Sequence, residues 1–129
     1  MSDLMRSMIA ATSGMDSQTT RLRLISENIA NIDTPGYRRK TISFEEVRAQ
    51  SDARAVIPGQ VRLDRSELER VYEPANPLAN EDGYFDGSNV DLIVEMADAR
   101  ESRRSYEASL RMFEQSRGML NSLFELMRR

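Results

Sequence analysis

The chain contains neither cysteine nor histidine. Without cysteine there is no disulfide framework, no thiolate metal site and no sulfur nucleophile, and the redox compartment goes unread. Without histidine the usual general base, the commonest metal ligand and every Ser-His or Cys-His arrangement are removed. Catalysis would have to rest on carboxylates, Lys40, tyrosines or backbone, so an enzyme is not expected. No apolar run approaches the roughly 18 residues of a membrane span, and residues 1–6 lack a basic region followed by an apolar core. Direct membrane insertion and export by a cleaved signal peptide are therefore not expected. A charge excess is missing as well: 18 Lys and Arg stand against 21 Asp and Glu, a net charge of −3. That balance argues against a whole-chain polyanion binder, and no nucleic-acid partner is expected. At 129 residues the chain has the length of one domain.

What is present is two amphipathic stretches at opposite ends. Stepping four, three, four, three from Leu4 lands on Leu4, Met8, Ala11, Met15, Gln18, Leu22, Ile25, Ile29 and Ile32, with Gln18 the only polar residue. Positions off the seam carry Ser7, Thr12, Ser13, Asp16, Ser17, Thr19, Arg21, Arg23 and Glu27, so the stripe reads as narrow and facing one partner. This predicts a helix over about 3–31, roughly 40 Å long at ~1.5 Å per residue. Its exit is well specified: Pro35 disfavours helix at Thr34, Asn31 and Asp33 suit turn positions, and Gly36 permits positive φ.

A second seam, predicted over 89–127, runs through Leu92, Met96, Ala99, Arg103, Tyr106, Leu110, Phe113, Arg117, Leu120, Phe124 and Met127. A neighbouring stripe of Ile93, Ala97, Met112, Met119, Leu123 and Leu126 widens the apolar face in the last turns, more than one antiparallel partner can cover. Ser88 followed three residues later by Asp91 resembles a capping box. The predicted architecture is mainly α: a discontinuous two-helix coiled coil from 1–34 and 89–129, with a loop-rich middle module over 35–88. In that module 41–44 alternates like a short strand, Pro58-Gly59 marks a turn, and 60–63 could pair with 68–72 as a hairpin. Leftover apolar surface is usually an interface. Glycine, serine and threonine in the first helix imply folding on assembly, since burial must offset ~1 to 2 kcal/mol of backbone entropy per residue.

Other patterns have plainer readings beside the functional one. Arg38-Arg39-Lys40 could form a nucleic-acid or anionic-lipid patch, but three basic residues beside Glu45 and Glu46 suit a solvated or salt-bridged surface. Arg103 and Arg117 either pair between subunits or snorkel at the edge of the stripe. Residues 81–91 carry oxygen ligands in a Gly-containing loop without EF-hand spacing, so a turn and helix cap is favoured over calcium, and no metal or cofactor is expected. Tyr37 and Tyr106 suit interface anchors or ordinary packing. The methionines at helical spacing are core or adaptable interface fillers.

Ala30-Asn31-Ile32-Asp33-Thr34-Pro35-Gly36-Tyr37, preceded by Asn28, resembles the A-N-x-x-T-P-G-Y signature of the bacterial flagellar axial proteins. Within that group the short length resembles the proximal rod proteins. Tyr72-Glu73-Pro74, Pro77, Gly83-Tyr84, Asn89-Val90-Asp91, Glu95-Met96, Arg104-Ser105-Tyr106-Glu107-Ala108 and Met119 follow an order similar to the C-type members. Asp86-Gly87-Ser88 before Asn89 is closer to the sister B-type, which stays as the alternative within the family. The resemblance implies a structural subunit of the basal-body rod in the periplasm, exported by the flagellar type III apparatus and transmitting torque. It implies as neighbours copies of itself and other rod proteins, an adaptor at the export gate, and the surrounding membrane ring. The alternative from another class is a helical adaptor that binds one soluble helical partner.

Overall fold

The computed structural model describes residues 3–129; residues 1 and 2, part of the start read above for a signal peptide, lie outside them. Helix α1 covers Asp3–Ala30, strands β1 (Lys40–Arg48) and β2 (Arg54–Leu63) follow, then β3 (Arg70–Tyr72), β4 (Tyr84–Asp86) and helix α2 (Leu92–Met127). The two helices pack along each other, and the middle forms two separate antiparallel pairs, β1 with β2 and β3 with β4. Among the described residues no helix is long and apolar enough to cross a membrane.

The threonines of α1 are tolerated because their hydroxyls find partners inside the helix. Thr12, Thr19 and Thr20 donate to the carbonyls four residues back, at 2.8, 3.0 and 3.2 Å. The expectation that α1 faces a single partner is overturned. Ser17 is fully buried and donates to the Val56 carbonyl at 3.0 Å, while the Val56 N–H donates to Ser13 Oγ at 3.0 Å. Two hydroxyls thus complete the bonding of a strand residue, so β2 lies against the serine face while α2 lies against another. Hydroxyls satisfied this way can line a buried face at little net cost.

The β1–β2 hairpin turns through residues 49–53, where Asp52 takes φ 60°. Pro58-Gly59 does not turn. It sits inside β2, where two residues oppose Ser43 and the register slips by one between Ile42/Val61 and Phe44/Pro58. A bulge accommodates the missing proline N–H, and Gly59 lets the Ser43 backbone approach: a Cβ there would meet the Ser43 carbonyl oxygen at 3.1 Å.

The hairpin expected between 60–63 and 68–72 is also corrected. Lys40–Ile42 of β1 takes the first partner and Tyr84–Asp86 takes the second. The linker at 64–67 is held otherwise: Ser66 N–H donates to Asp64 Oδ1 at 2.8 Å, and the Asp64 and Ser66 carbonyls accept from Arg38 Nη1. On β3–β4 the Tyr72 and Tyr84 rings lie 5.0 Å apart, with Arg70 5.2 Å from the Tyr84 ring centre. Helix α2 is capped by Asp91 itself, which accepts from Ile93 N–H at 2.9 Å. The expected capping box fails because Ser88 is committed elsewhere, donating to the Ile32 carbonyl.

Candidate assembly surface

The turn after α1 is built around Asn28. Buried to 1% exposure, its amide donates to the Lys40 carbonyl at 2.9 Å and its Oδ1 accepts from Lys40 N–H at 2.9 Å. One side chain therefore pairs with both polar groups of a backbone residue, as a neighbouring strand would. Tyr37, coming from the far side of the turn, donates its hydroxyl to the same Oδ1 at 2.9 Å. Burial raises the Tyr37 pKa above its ordinary value, with Lys40 opposing the shift. Asn31 holds the helix exit: its amide donates to the Glu27 carbonyl at 2.8 Å and Oδ1 accepts from Thr34 Oγ1 at 3.0 Å. Gly36, at φ 74°, points its N–H at the Asp86 and Gly87 carbonyls, 3.2 and 3.1 Å away, and so docks the turn on β4. Ala30, Thr34, Pro35 and Gly36 stay exposed, whereas Tyr37 and Asn31 are half-buried.

Charged residues then tie this turn to the base of α2. Arg39 donates through Nε to Glu95 Oε1 and through Nη2 to Asp98 Oδ2 at 2.7 Å, with Asp64 at 3.9 Å. Arg21 of α1 approaches Asp98 at 3.7 Å and Glu101 at 3.6 Å. Glu95 has no exposed surface at all, and its Oε2 accepts no hydrogen bond among the described residues. Burial works against the charge on Arg39, but Glu95 first, then Asp98 and Asp64, outweigh it and raise the guanidinium pKa above its ordinary value. Bonds from Ser66 hold the Asp64 carboxyl below its ordinary range. Sequence reasoning missed this cluster, since nothing local joins Arg39 to residues more than 50 positions away. Within Arg38-Arg39-Lys40, Arg39 has these carboxylates, Lys40 pairs with Glu27 at 3.1 Å, and Arg38 donates to carbonyls. Their partners are not Glu45 and Glu46.

The helix interface takes part of the row read for α2, with Ala99, Tyr106, Phe113 and Leu120 half-buried, and sets beside it a row that was not read. Glu95, Ser102 and Ser116 are buried and Ser109 is half-buried, a strict seven-residue spacing of small or paired polar side chains facing α1. Gly14 of α1 meets Ser109 so closely that an added Cβ would lie 2.9 Å from its hydroxyl. That spacing was legible, but it lay outside an apolar search. Of the residues read as the α2 seam, Tyr106, Phe113 and Leu120 are half-buried at its margin, while Leu92, Met96, Leu110, Phe124 and Met127 are exposed. Phe124 is 53% and Met127 80% exposed. On α1, Leu4, Met8, Met15, Leu22 and Ile29 are half-buried and Ile25 is buried. Ile25 and Leu24 line a small cavity under the start of β1 with Thr41 and Ile42. Arg103 and Arg117 are both exposed, and neither forms an ion pair among the described residues.

Close packing through small side chains leaves the bulky ones outside. An open groove of about 470 Å³ runs beside Met5, Met8, Ile9, Phe113 and Leu120, and Leu123, Phe124, Leu126 and Met127 lie exposed beyond it. Loop 81–91 forms a turn and a helix cap: Asn80 Oδ1 accepts from Asp82 and Tyr84 N–H, each at 3.0 Å. Among the described residues no group of three or more acidic side chains is arranged to hold a metal ion.

Comparison with known proteins matches the two ends separately. The family described as "Flagella basal body rod protein" matches residues 8–38, α1 with its turn. "Flagellar basal body rod FlgEFG protein C-terminal" matches residues 81–126, β4 with α2. Over nearly the whole chain, the flagellar basal-body rod protein FlgC of Agrobacterium fabrum is 41% identical across 126 residues, covering 92% of this chain and 91% of the relative. The chain belongs to the FlgC family of flagellar basal-body rod proteins. FlgC of Bacillus subtilis is 30% identical over 93% of this chain and 95% of its own, and FlgC of Salmonella typhimurium 31% over 85% and 87%. Membership in the FlgC family decides for the C-type over the B-type reading. As an FlgC-family chain it is a structural rod subunit of the flagellar basal body and associates with other basal-body rod proteins.

Proposed function

We propose that this rod subunit assembles by burying, against copies of itself and other rod proteins, the apolar stripe that α2 turns away from α1. The observation that carries the reading is an excess of surface. The chain exposes 9394 Å², whereas a compact monomer of 14.7 kDa would expose about 6,900 Å². Only Ala11, Leu24, Ile25, Ala53 and Ala55 are buried apolar residues among those described. So small a core makes the lone chain marginal, and assembly supplies the missing burial at about 25 cal/mol per Å² of apolar surface.

The same surface suits a proximal rod. The seam residues of α1 and the outer stripe of α2 present unlike faces, and unlike faces meeting head to tail build open helical structures. Torque then passes through many packed side chains, and no residue need be catalytic. Family membership supports a place in the periplasm-crossing rod after type III export, with the export-gate adaptor and the surrounding membrane ring as further neighbours.

The test is Leu123→Asp with Phe124→Asp in cells lacking their own copy. Neither side chain belongs to the chain's own core, so secretion should persist while the chain disappears from purified basal bodies and swimming stops. Motile cells with a normal rod would refute the assignment. Ile25→Asp behaves differently, because Ile25 is spent on the chain's own packing and its loss degrades the fold itself.

A further inference from the structure

Charge is strongly segregated along the chain. Residues 67–91 carry seven acidic side chains and one basic, while 99–129 carry seven arginines and four acidic side chains. Arg103 and Arg104 follow Arg100 by three and four residues on α2, and the three line a hollow of about 380 Å³ with Ile29, Met96, Ala99 and a single carboxylate, Glu107. None of the three forms an ion pair among the described residues. Several of these acids are engaged locally: Glu67 and Asp86 lie near Arg38 and Arg70, Glu73 accepts from Asn76 and Asp91 caps α2. Glu81 and Asp82 sit on the exposed tip before β4, their carboxylates making no hydrogen bond or ion pair among the described residues.

We propose that Arg103 and Arg104 of one copy receive the Glu81-Asp82 tip of a second copy of this chain. The inference rests on the assembling-subunit reading above and names its polar contact. Within a single chain no ion pair joins the two patches among the described residues: the tip belongs to the module that precedes α2, and Arg103 and Arg104 lie roughly 16 to 18 Å into that helix. The tip is therefore free to meet the arginines of a neighbouring copy. The match joins two different surfaces, so it repeats from copy to copy without closing on itself. Arginine suits the role because its planar fork grips carboxylates bidentately and its stem covers apolar surface. The contact sets stagger, which apolar stripes alone define loosely because one turn's slip costs them little.

The experiment uses the full chain in cells lacking their own copy. R103E/R104E and E81R/D82R are each expected to lower the amount of chain in purified basal bodies by roughly tenfold or more, from like-charge repulsion. Carrying all four changes in one chain is expected to restore incorporation to within about threefold, because reversed partners meet again between copies. Unaffected parents overturn the proposal. So does a four-change chain as defective as its parents, which would assign each patch to a different protein. Should the reversals fold poorly, R103Q/R104Q and E81Q/D82N carry the test. Self-association of the unaltered chain should weaken between about 50 and 500 mM salt, and both neutral variants should lose that dependence; a salt-insensitive unaltered chain overturns the contact. Leu123→Asp keeps the two readings separate. If it stays excluded from rods while the charge swap fails, only the arginine contact falls.

Discussion

Asn28→Ala removes three hydrogen bonds at one stroke, and each replaced partner is a group the turn itself cannot satisfy. Lys40 loses the acceptor for its N–H and the donor for its carbonyl, and the Tyr37 hydroxyl loses its acceptor. A net intramolecular bond contributes about 0.5 to 1.5 kcal/mol, and a buried group left unpaired costs about 1 to 3 kcal/mol. Lys40 and Tyr37 are only half-buried, so water recovers part of the loss. The expected cost is about 2 to 3 kcal/mol, against about 1 kcal/mol for Tyr37→Phe, which removes one bond. Both are large beside the marginal stability of a chain with so few buried apolar residues. The assay is urea unfolding followed by far-UV circular dichroism, in a protecting osmolyte that brings the transition into range. With an m-value of about 1 to 3 kcal/mol/M, Asn28→Ala should lower the midpoint by about 0.7 to 3 M. Hydrogen exchange adds a local reading: the Lys40 amide should lose protection in Asn28→Ala and keep it in Tyr37→Phe. If Asn28→Ala costs no more than Ser26→Ala, a change at an exposed site on the same helix, the clamp does not stabilise the turn.

Three further outcomes follow from the same geometry. Arg39→Ala leaves Glu95 buried without its cation and should cost about 3 to 5 kcal/mol, part of which Arg39→Ala with Glu95→Leu should recover; equal losses in both would show that the pair is not the issue. Gly14→Ala exchanges a helix-propensity gain of about 1 kcal/mol against crowding of the Ser109 hydroxyl. It should therefore be nearly neutral, and Gly14→Ala with Ser109→Ala should melt higher than the unaltered chain. Stability should also fall in strong alkali. The folded pKa of Tyr37 is raised, so its contribution is complete below the unfolded value of about 10 and is lost as pH rises through the folded one. Tyr37→Phe should flatten that limb of the pH profile.

The two helices, their lengths and the turn between Asn31 and Tyr37 were readable because their causes are local: apolar spacing, a proline that ends helical geometry, and a glycine where φ is positive. Asn28 and Tyr37 could be picked out as a motif, but their joint hold on Lys40 could not, since it needs the turn already closed. Strand pairing escaped for a related reason. The segments 60–63 and 68–72 are adjacent and alternate suitably, yet each found a better-matched partner farther away, β1 with its nine residues and β4 beyond the Asn80 turn. Sequence by itself determined the two helices and the turn after the first, the family and the excess of apolar surface. Tertiary structure alone decided how that surface is divided. Helices approach most closely where side chains are small, so Gly14, Ser102, Ser109 and Ser116 took the inner face and the bulky residues at the end of α2 were left outward.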